Sequence, residues 1–348
     1  MSLHRHNALA AALLALSASA VSAQQQSVRE VLQTVKPSTP KVSGLVNVRY
    51  AYDSSDESNG FDIRRVRLGV SGDFGKHLDY KVQAEYGGGS ANTSASVKLL
   101  DAYLRIKMTP QINVQVGEYK VAYSQETLDG PATWLTIENP TVVSKLNGYS
   151  DESGQKANSR DVGLTLYGAL ARSKGRDIVN YRVGLFNGNG INLKDNDSHK
   201  DLSAYLTVSP VKSLTLSAAH YAGHYTTATG GQTSTVTRNR TSAGFTFAKN
   251  AFLLRSEYLH GKTGNRKHQG VYAIAAYSLP YGIQPVLSYG YYQKDTETRR
   301  DNQSDYLIGV NWKPLKQLRV QLDYTLTDYT NSQKKNKSLL ETQLVASF

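Results

Sequence analysis

Three arginines stand close together in the segment FDIRRVRLG, residues 61–69. A guanidinium can hold phosphate or carboxylate oxygens through two parallel hydrogen bonds, which a lysine ammonium does not do. Arg64, Arg65 and Arg67 therefore predict an anion site, provided that the segment carrying them faces water. The segment also reads as a β-strand, and an ordinary soluble sheet keeps that much like charge at an edge or in a loop.

Side-chain alternation along the strand separates the three arginines. Val66 and Leu68 mark an apolar face, so Arg65 and Arg67 point to the opposite, polar face. Arg64 falls on the apolar phase just after a long loop, where we expect it to snorkel toward the headgroup level of a membrane.

The same reasoning assigns cations of many other segments to the polar face. They are Lys81, Arg105, Lys107, Arg182, Arg238, Arg240, Arg255, Lys294 and Arg319. Acids share that face, namely Asp79, Glu85, Asp101, Glu257, Asp305 and Asp323. The cations are in excess, and fixed positive charge in a narrow aqueous passage lowers the energy of anions there. A charge-balanced wall whose ion pairs only stiffen the fold is the alternative.

Alternation with a period of two residues continues through most of the chain. Residues 78–86 (LDYKVQAEY) and 318–326 (LRVQLDYTL) place apolar side chains on one face and polar ones on the other. Short connections such as 75–77 and 313–317 alternate with long polar ones such as 187–199 and 260–268. This layout predicts an all-β fold, a transmembrane antiparallel β-barrel of about 16 strands with short periplasmic turns and long external loops. A soluble β-sandwich also alternates but needs neither this many strands nor this alternation of loops.

The third external loop, 122–158, is the longest, and its apolar content predicts packing rather than free solvation. We expect it to fold into the pore. An external cap, or a loop that contacts another subunit, is the alternative.

Both ends of the chain carry export signals. Residues 1–23 combine an apolar run with a small-residue cleavage site, which predicts a signal peptide. Residues 24–41 are expected to form a short periplasmic segment, and 42–348 the barrel. The last strand ends on Phe348, an ending that resembles the insertion signal of outer-membrane barrels. These features predict the bacterial outer membrane, with lipid and lipopolysaccharide as surroundings.

Other chemistry finds little support. The chain has no cysteine, and no Ser/His/Asp set falls on the polar face with a supporting motif, so we expect no enzyme, no cofactor and no metal site. The basic pI of 9.5 would suit nucleic acid, but export and barrel alternation argue against that partner. A track of tyrosine rings that binds sugars is an open alternative. The better candidates on the polar face are Tyr103, Tyr167 and Tyr205.

Three stretches together resemble the phosphate-selective porin O and P family. They are GFDIRRVRLGVSGDFGKHLDYKVQAEY (60–86), LLDAYLRIKMTPQINVQVGEYKVAYSQETL (99–128) and SRDVGLTLYG (159–168). The resemblance implies a trimeric, 16-stranded porin that conducts anions such as phosphate. Within it, Arg64 and Arg65 match the arginine pair, Asp101 a strand aspartate, and Lys120 the lysine before the constriction loop. Alternation from Val116 would turn Lys120 outward, so we expect the strand to break at Gly117.

The sequence thus predicts a passive, anion-preferring diffusion channel, with phosphate or polyphosphate selectivity left open. The basic residues are scattered over many strands rather than stacked in one ladder. A general, sugar or organic-solute porin and a plugged, non-conducting barrel are the alternatives. The candidate pore-lining residues are Arg64, Arg65, Arg67, Lys81, Asp101, Arg105, Lys107, Lys120, Arg238, Arg240, Arg255 and Arg319.

Overall fold

The structure is a computed structural model that describes residues 37–87, 96–147, 150–155, 158–229, 232–298, 301–331 and 333–348. The predicted signal peptide, 1–23, and residues 24–36 of the predicted periplasmic segment lie outside these residues.

Within the described residues, 16 antiparallel strands form one closed barrel, as alternation predicts. Each strand pairs with its neighbours in sequence, and the first pairs with the last, with Leu45 opposite Ser347. Closure removes unpaired strand edges, which a bilayer cannot hydrate. The strands are β1 Lys41–Asp53, β2 Ser58–Phe74, β3 Leu78–Gly87, β4 Ser96–Lys107, β5 Asn113–Lys120, β6 Arg160–Ser173, β7 Arg176–Phe186, β8 Asp201–Val211, β9 Leu214–Thr229, β10 Gln232–Lys249, β11 Phe252–Thr263, β12 Arg266–Tyr277, β13 Ile283–Gln293, β14 Asn302–Leu315, β15 Leu318–Tyr329 and β16 Lys337–Ser347.

The two faces of the wall differ as the alternation requires. Leu68, Val82 and Leu104 are large apolar side chains exposed on the outside. Arg67 and Asp79, on the opposite phase of β2 and β3, are buried in the interior. An apolar outer band and a polar lumen are the arrangement of an outer-membrane barrel.

One predicted loop is much shorter than its composition indicated. Residues 260–268 form a continuous hairpin, because β11 runs to Thr263 and β12 begins at Arg266. Gly264 supplies the turn with a φ of 57°. The segment was predicted to be a loop from its polarity alone, but polar residues also form paired hairpins that extend into water.

Residues 121–159 connect β5 to β6 and are called the inner loop here. Its described residues, 121–147, 150–155 and 158–159, lie across the barrel interior. Glu138 bonds to Arg64 of β2, Asp151 to Arg240 of β10, and the amide of Ile137 to Asp323 of β15. A segment that reaches these separate parts of a closed wall must pass through the lumen.

Two short helices stiffen the inner loop, α1 at Gln125–Leu128 and α2 at Thr141–Leu146. Helix α2 buries Val142, Val143 and Leu146 in the apolar cluster of the lumen, which also includes residues of β11 to β13. The apolar side chains of the loop thus pack against the wall. Among the described residues, no helix is long and apolar enough to cross a membrane.

Candidate functional site in the barrel lumen

A β-bulge turns Arg64 toward the lumen. The pairing of β1 with β2 shifts between Asn47 and Val48 of β1, which leaves Arg64 without a partner in the ladder. Its Nε and Nη2 atoms donate to Oε1 and Oε2 of Glu138 at 2.7 and 3.0 Å. The outward orientation predicted from alternation was wrong, because one extra residue in a strand inverts the phase on one side of it.

Glu138 brings three guanidinium groups together. Besides the paired bonds from Arg64, it accepts from Nη1 of Arg49 at 3.1 Å and lies 4.0 Å from Nη2 of Arg65. The Arg65 guanidinium also stacks over the Trp134 ring, 5.1 Å from its centroid. Burial in the lumen raises the pKa of Glu138, but the three positive charges outweigh it and hold that pKa below its usual value. The predicted arginine pair is thus engaged by the inner loop.

A second carboxylate of the inner loop binds two arginines of β10. Asp151 Oδ1 accepts from Nη2 of Arg240 at 2.7 Å, and Oδ2 accepts from Nη2 of Arg238 at 3.1 Å. The Asp151 side chain is fully inaccessible, and Ser153 Oγ adds a bond at 2.7 Å. Burial raises the pKa of Asp151, yet the two arginines and the hydrogen bonds lower it well below its usual value. Arg238 and Arg240 therefore contact the loop, not an open passage.

Two further wall cations hold the segment around α1. Arg255 Nη1 donates to Glu126 Oε2 and to Asp129 Oδ2, both at 2.8 Å. Arg319 donates to the carbonyl oxygens of Trp134 and Pro131 at 2.8 and 2.7 Å.

Glu257 of β11 accepts from the start of α1. The Ser124 hydroxyl donates to it at 2.6 Å and the Gln125 amide at 2.9 Å. A carboxylate suits the N-terminus of a helix, because the first amides there have no partner within the helix. The wall formed by β10, β11 and β15 thus holds the inner loop in place.

The part of the wall formed by β2 to β7 borders a cavity of about 540 Å³. Six neighbouring strands, β2 to β7, contribute its cations, which are Arg67, Lys81, Arg105, Lys120, Arg160 and Arg182. Asp101 is the one acidic side chain among the described residues that line it, and the C-terminal residue, Phe348, also borders it. Across from these cations the inner loop contributes Leu128, Gly130, Pro131 and Ala132. The cavity is therefore strongly positive on one side and uncharged on the other.

Carboxylates anchor several of the cavity cations. Asp101 accepts from Lys81 Nζ at 2.7 Å and from Arg160 Nε at 2.9 Å. Glu85 pairs with Arg67 at 2.6 Å. These bonds fix the positions of the side chains and leave other donors of each group available, since a guanidinium carries five N–H groups.

Asp79 serves two cations near the short-turn end of the wall. Its Oδ1 accepts from Arg105 Nε at 2.7 Å, and its Oδ2 lies 2.7 Å from Lys107 Nζ. Of the two, Arg105 lines the cavity and Lys107 does not.

Two cavity cations have no carboxylate partner within the described residues. Arg182 lies over the Tyr167 ring, 5.4 Å from its centroid. Lys120 Nζ donates to the carbonyl oxygens of Leu128, at 3.3 Å, and of Asp129. Their charges are the least compensated of the cavity and act most directly on an ion inside it.

Lys120 reaches the lumen although alternation from Val116 assigns it outward. The predicted break at Gly117 was wrong, because β5 runs through Gly117 to Lys120 with continuous pairing, although Gly117 adopts a φ of 128°, which L side chains rarely take. Lys120 pairs with Arg160, which is also on the outward phase of its strand, and both line the cavity. Both residues end their strands beside the inner loop, where the wall no longer dictates which way a side chain points.

Some site residues were not found by sequence reasoning. Alternation of Val46 and Val48 could have placed Arg49 inward. Arg160 stood in a quoted motif without an assigned role, and its phase pointed the other way. The acids of the inner loop, Glu138 and Asp151, had no signal, because a loop carries no periodicity. Within the described residues, no three His, Asp or Glu side chains converge to hold a metal.

Comparison with known proteins agrees with this geometry. The family model for the phosphate-selective porins O and P matches residues 45–347. A search of curated proteins finds no match. Among solved structures, the anion-selective porin from Comamonas acidovorans is similar, with 15% identity over 90% of this chain and 100% of that chain, and a TM-score of 0.64.

Two further structures share the barrel. The outer membrane channel DcaP of Acinetobacter baumannii has 13% identity over 89% of this chain and 97% of its own, with a TM-score of 0.63. The trimer form of OmpT from Vibrio cholerae has 12% identity over 89% and 99%, with a TM-score of 0.64. At these identities the likeness shows the fold. The family and the fold indicate a channel rather than an enzyme. The chain belongs to the phosphate-selective porin O and P family and is a porin of the bacterial outer membrane.

Proposed function

We propose that this porin is a passive diffusion channel that prefers anions, and that the positive cavity beside the inner loop is its selective passage. The observation that carries the proposal is the lining, in which six cationic side chains accompany one acidic side chain, Asp101, and two of the cations, Lys120 and Arg182, have no carboxylate partner among the described residues. In a water-filled passage with low-dielectric walls, such an excess lowers the energy of anions and raises that of cations.

Within this proposal the predicted pore-lining residues have two roles. Arg67, Lys81, Arg105 and Lys120 attract the anion, together with Arg160 and Arg182, and Asp101 positions two of them. Arg64, Arg65, Arg238, Arg240, Arg255 and Arg319 hold the inner loop and so shape the passage. Lys107 lies off the cavity, pairs with Asp79 and Asp73, and is not assigned to the passage.

The reversal potential of the purified protein in a planar bilayer under a KCl gradient tests the proposal. We expect the sign that corresponds to chloride preference. A potassium preference contradicts it. An absence of conductance steps favours the plugged barrel, an alternative that the many contacts between the inner loop and the wall support. The family description makes phosphate the first anion to try as an inhibitor of the chloride current.

Assembly is a separate part of the proposal. A relative of the same fold, OmpT from Vibrio cholerae, is described in a trimer form. We expect a homotrimer surrounded by lipid and lipopolysaccharide, without enzymatic activity or cofactor. Light scattering of the detergent-solubilised protein measures the number of subunits, and a monomer at all concentrations would contradict the trimer.

A further inference from the structure

The positive cavity is amphipathic, and this property bears on the kind of anion that it takes. Its volume of about 540 Å³ lies in the range of sites for small organic molecules. Its charged side consists of wall residues. Its opposite side is an uncharged ledge of the inner loop, made of Leu128, Gly130, Pro131 and Ala132.

The ledge is a built surface. Lys120 donates to the carbonyl oxygens of Leu128 and Asp129, and Arg319 to that of Pro131. Two backbone acceptors of the ledge, and that of the intervening Asp129, are therefore occupied by cations. The Ala132 side chain is exposed, and a Cβ added at Gly130 would meet no atom within 4 Å. These positions border open space, so the surface that they offer to a solute is small and apolar.

Two aromatic rings also line the cavity. Tyr103 and Tyr119 both line the cavity and pack edge to face, with ring centroids 6.0 Å apart. The Tyr119 hydroxyl donates to Thr165 Oγ1 at 2.9 Å. Arg105 lies over the Tyr103 ring at 5.5 Å from its centroid. A guanidinium stacked in this way presents its N–H edge, so a carboxylate bound there lies next to an aromatic surface.

Phosphate matches such a cavity only in part. Its oxygens need hydrogen-bond partners on every side, and an apolar ledge replaces some of the water without returning those bonds. A carboxylate attached to an apolar body has its charge at one end. Its head can meet Arg105, Arg182 or Lys120 while its body covers the rings and the ledge.

We propose that the preferred solutes of this channel are small monocarboxylates with an apolar, ring-sized body, held between the cationic wall and the uncharged ledge. This inference rests on the proposed anion channel and names its substrate class. It implies that Ala132, Gly130 and Pro131 recognise the body of the solute and that the wall cations recognise its charge.

Three sodium salts, benzoate, acetate and phosphate, test the inference as inhibitors of the chloride current in planar bilayers. Benzoate and acetate share the head group and differ in the body. We expect benzoate to inhibit at roughly one-tenth of the concentration that acetate requires, which is the gain from burying part of a ring. Equal inhibition by the two carboxylates, or stronger inhibition by phosphate, would overturn the inference.

A pair of variants locates the effect. Ala132→Asn makes the ledge polar without adding charge, and we expect it to reduce the ratio of benzoate to acetate inhibition roughly fivefold. Ala171→Asn is the matched control, since Ala171 is exposed near the end of β6 and does not line the cavity. An unchanged ratio in Ala132→Asn, or an equal change in both variants, contradicts the role of the ledge.

The two proposals fail in different ways. A potassium-selective wild-type channel removes the proposed function, whereas a chloride-selective channel with equal inhibition by benzoate and acetate removes only the substrate class. If the protein shows no conductance, calorimetric titration of the purified protein with benzoate and with acetate decides the matter. Tighter binding of benzoate is expected, and equal binding or none overturns the inference.

Discussion

At the residue scale, the charge of a lumen cation matters less than its partner. Arg238 and Arg182 are both on the polar phase of their strands, yet Asp151 neutralises the first, and the second has no carboxylate partner among the described residues. Because an ion in the passage responds to uncompensated charge, only the second acts strongly on it.

We expect Arg182→Gln to lower the chloride-to-potassium permeability ratio by roughly two- to fivefold, as one unit charge within several ångströms of the path does in a partly screened passage. Reversal potentials in a KCl gradient measure the ratio. Arg172→Gln is the control, because Arg172 lies near the end of β6, is exposed and pairs with Asp177. A fall of equal size in the control would show that overall charge, not the cavity, sets selectivity.

At the element scale, the inner loop depends on buried ion pairs with the wall. Asp151 holds Arg238 and Arg240, and removing a single partner of a buried pair leaves uncompensated charge in a low-dielectric site. The hydrogen bonds to Glu257 and from Arg319 hold other parts of the loop, so we expect local loosening rather than loss of the barrel.

We predict that Asp151→Asn destabilises the docked inner loop by about 3–5 kcal/mol, because two buried arginines lose their counter-charge. Limited proteolysis of the refolded protein reports the loop, and cleavage within 121–159 should accelerate. Asp195→Asn is the control, since its pair with Lys200 is exposed and worth little. Equal protection of the loop in Asp151→Asn and the wild type contradicts the anchoring role.

The same carboxylate predicts an acid limit for the loop. The pKa of Asp151 is lowered in the folded state, because the charges of Arg238 and Arg240 outweigh the effect of burial. Its stabilising contribution is therefore complete above the unfolded pKa of about 3.9 and is lost as the pH falls through the lower folded pKa. Proteolysis with an acid-active protease should show a loop that stays protected at pH 5 and loosens below about pH 4. A loop that stays fully protected at pH 2 would contradict this assignment.

At the scale of the whole molecule, the barrel wall has two roles, which are to attract the ion and to hold the inner loop. Strands β2 to β7 carry the cations of the passage, and the loop that narrows it is held by the remaining wall together with Arg64 and Arg65 of β2. Selectivity then comes from the summed field of fixed charges, and such a field is screened by salt.

We expect the chloride preference to weaken as ionic strength rises from 0.1 M to 1 M, because the screening length falls from about 10 Å to about 3 Å. Reversal potentials at a constant concentration ratio but increasing total KCl measure this. A preference that stays constant over this range would show that direct contact with the cations, rather than their field, selects the ion.

The sequence by itself determined the barrel, because each strand in a bilayer must show lipid one face and water the other, and that requirement writes a period of two residues into the chain. For the same reason it placed Arg67, Lys81 and Arg105 on the lumen side. Only the tertiary structure decided which of these cations are available to an ion, since their carboxylate partners come from distant strands and from a loop without periodicity. It also corrected Arg64, which alternation sent to the membrane and a bulge turns onto Glu138. A single inserted residue inverts the phase, and the pairing that absorbs the insertion involves the neighbouring strand, so the sequence of one strand does not reveal it.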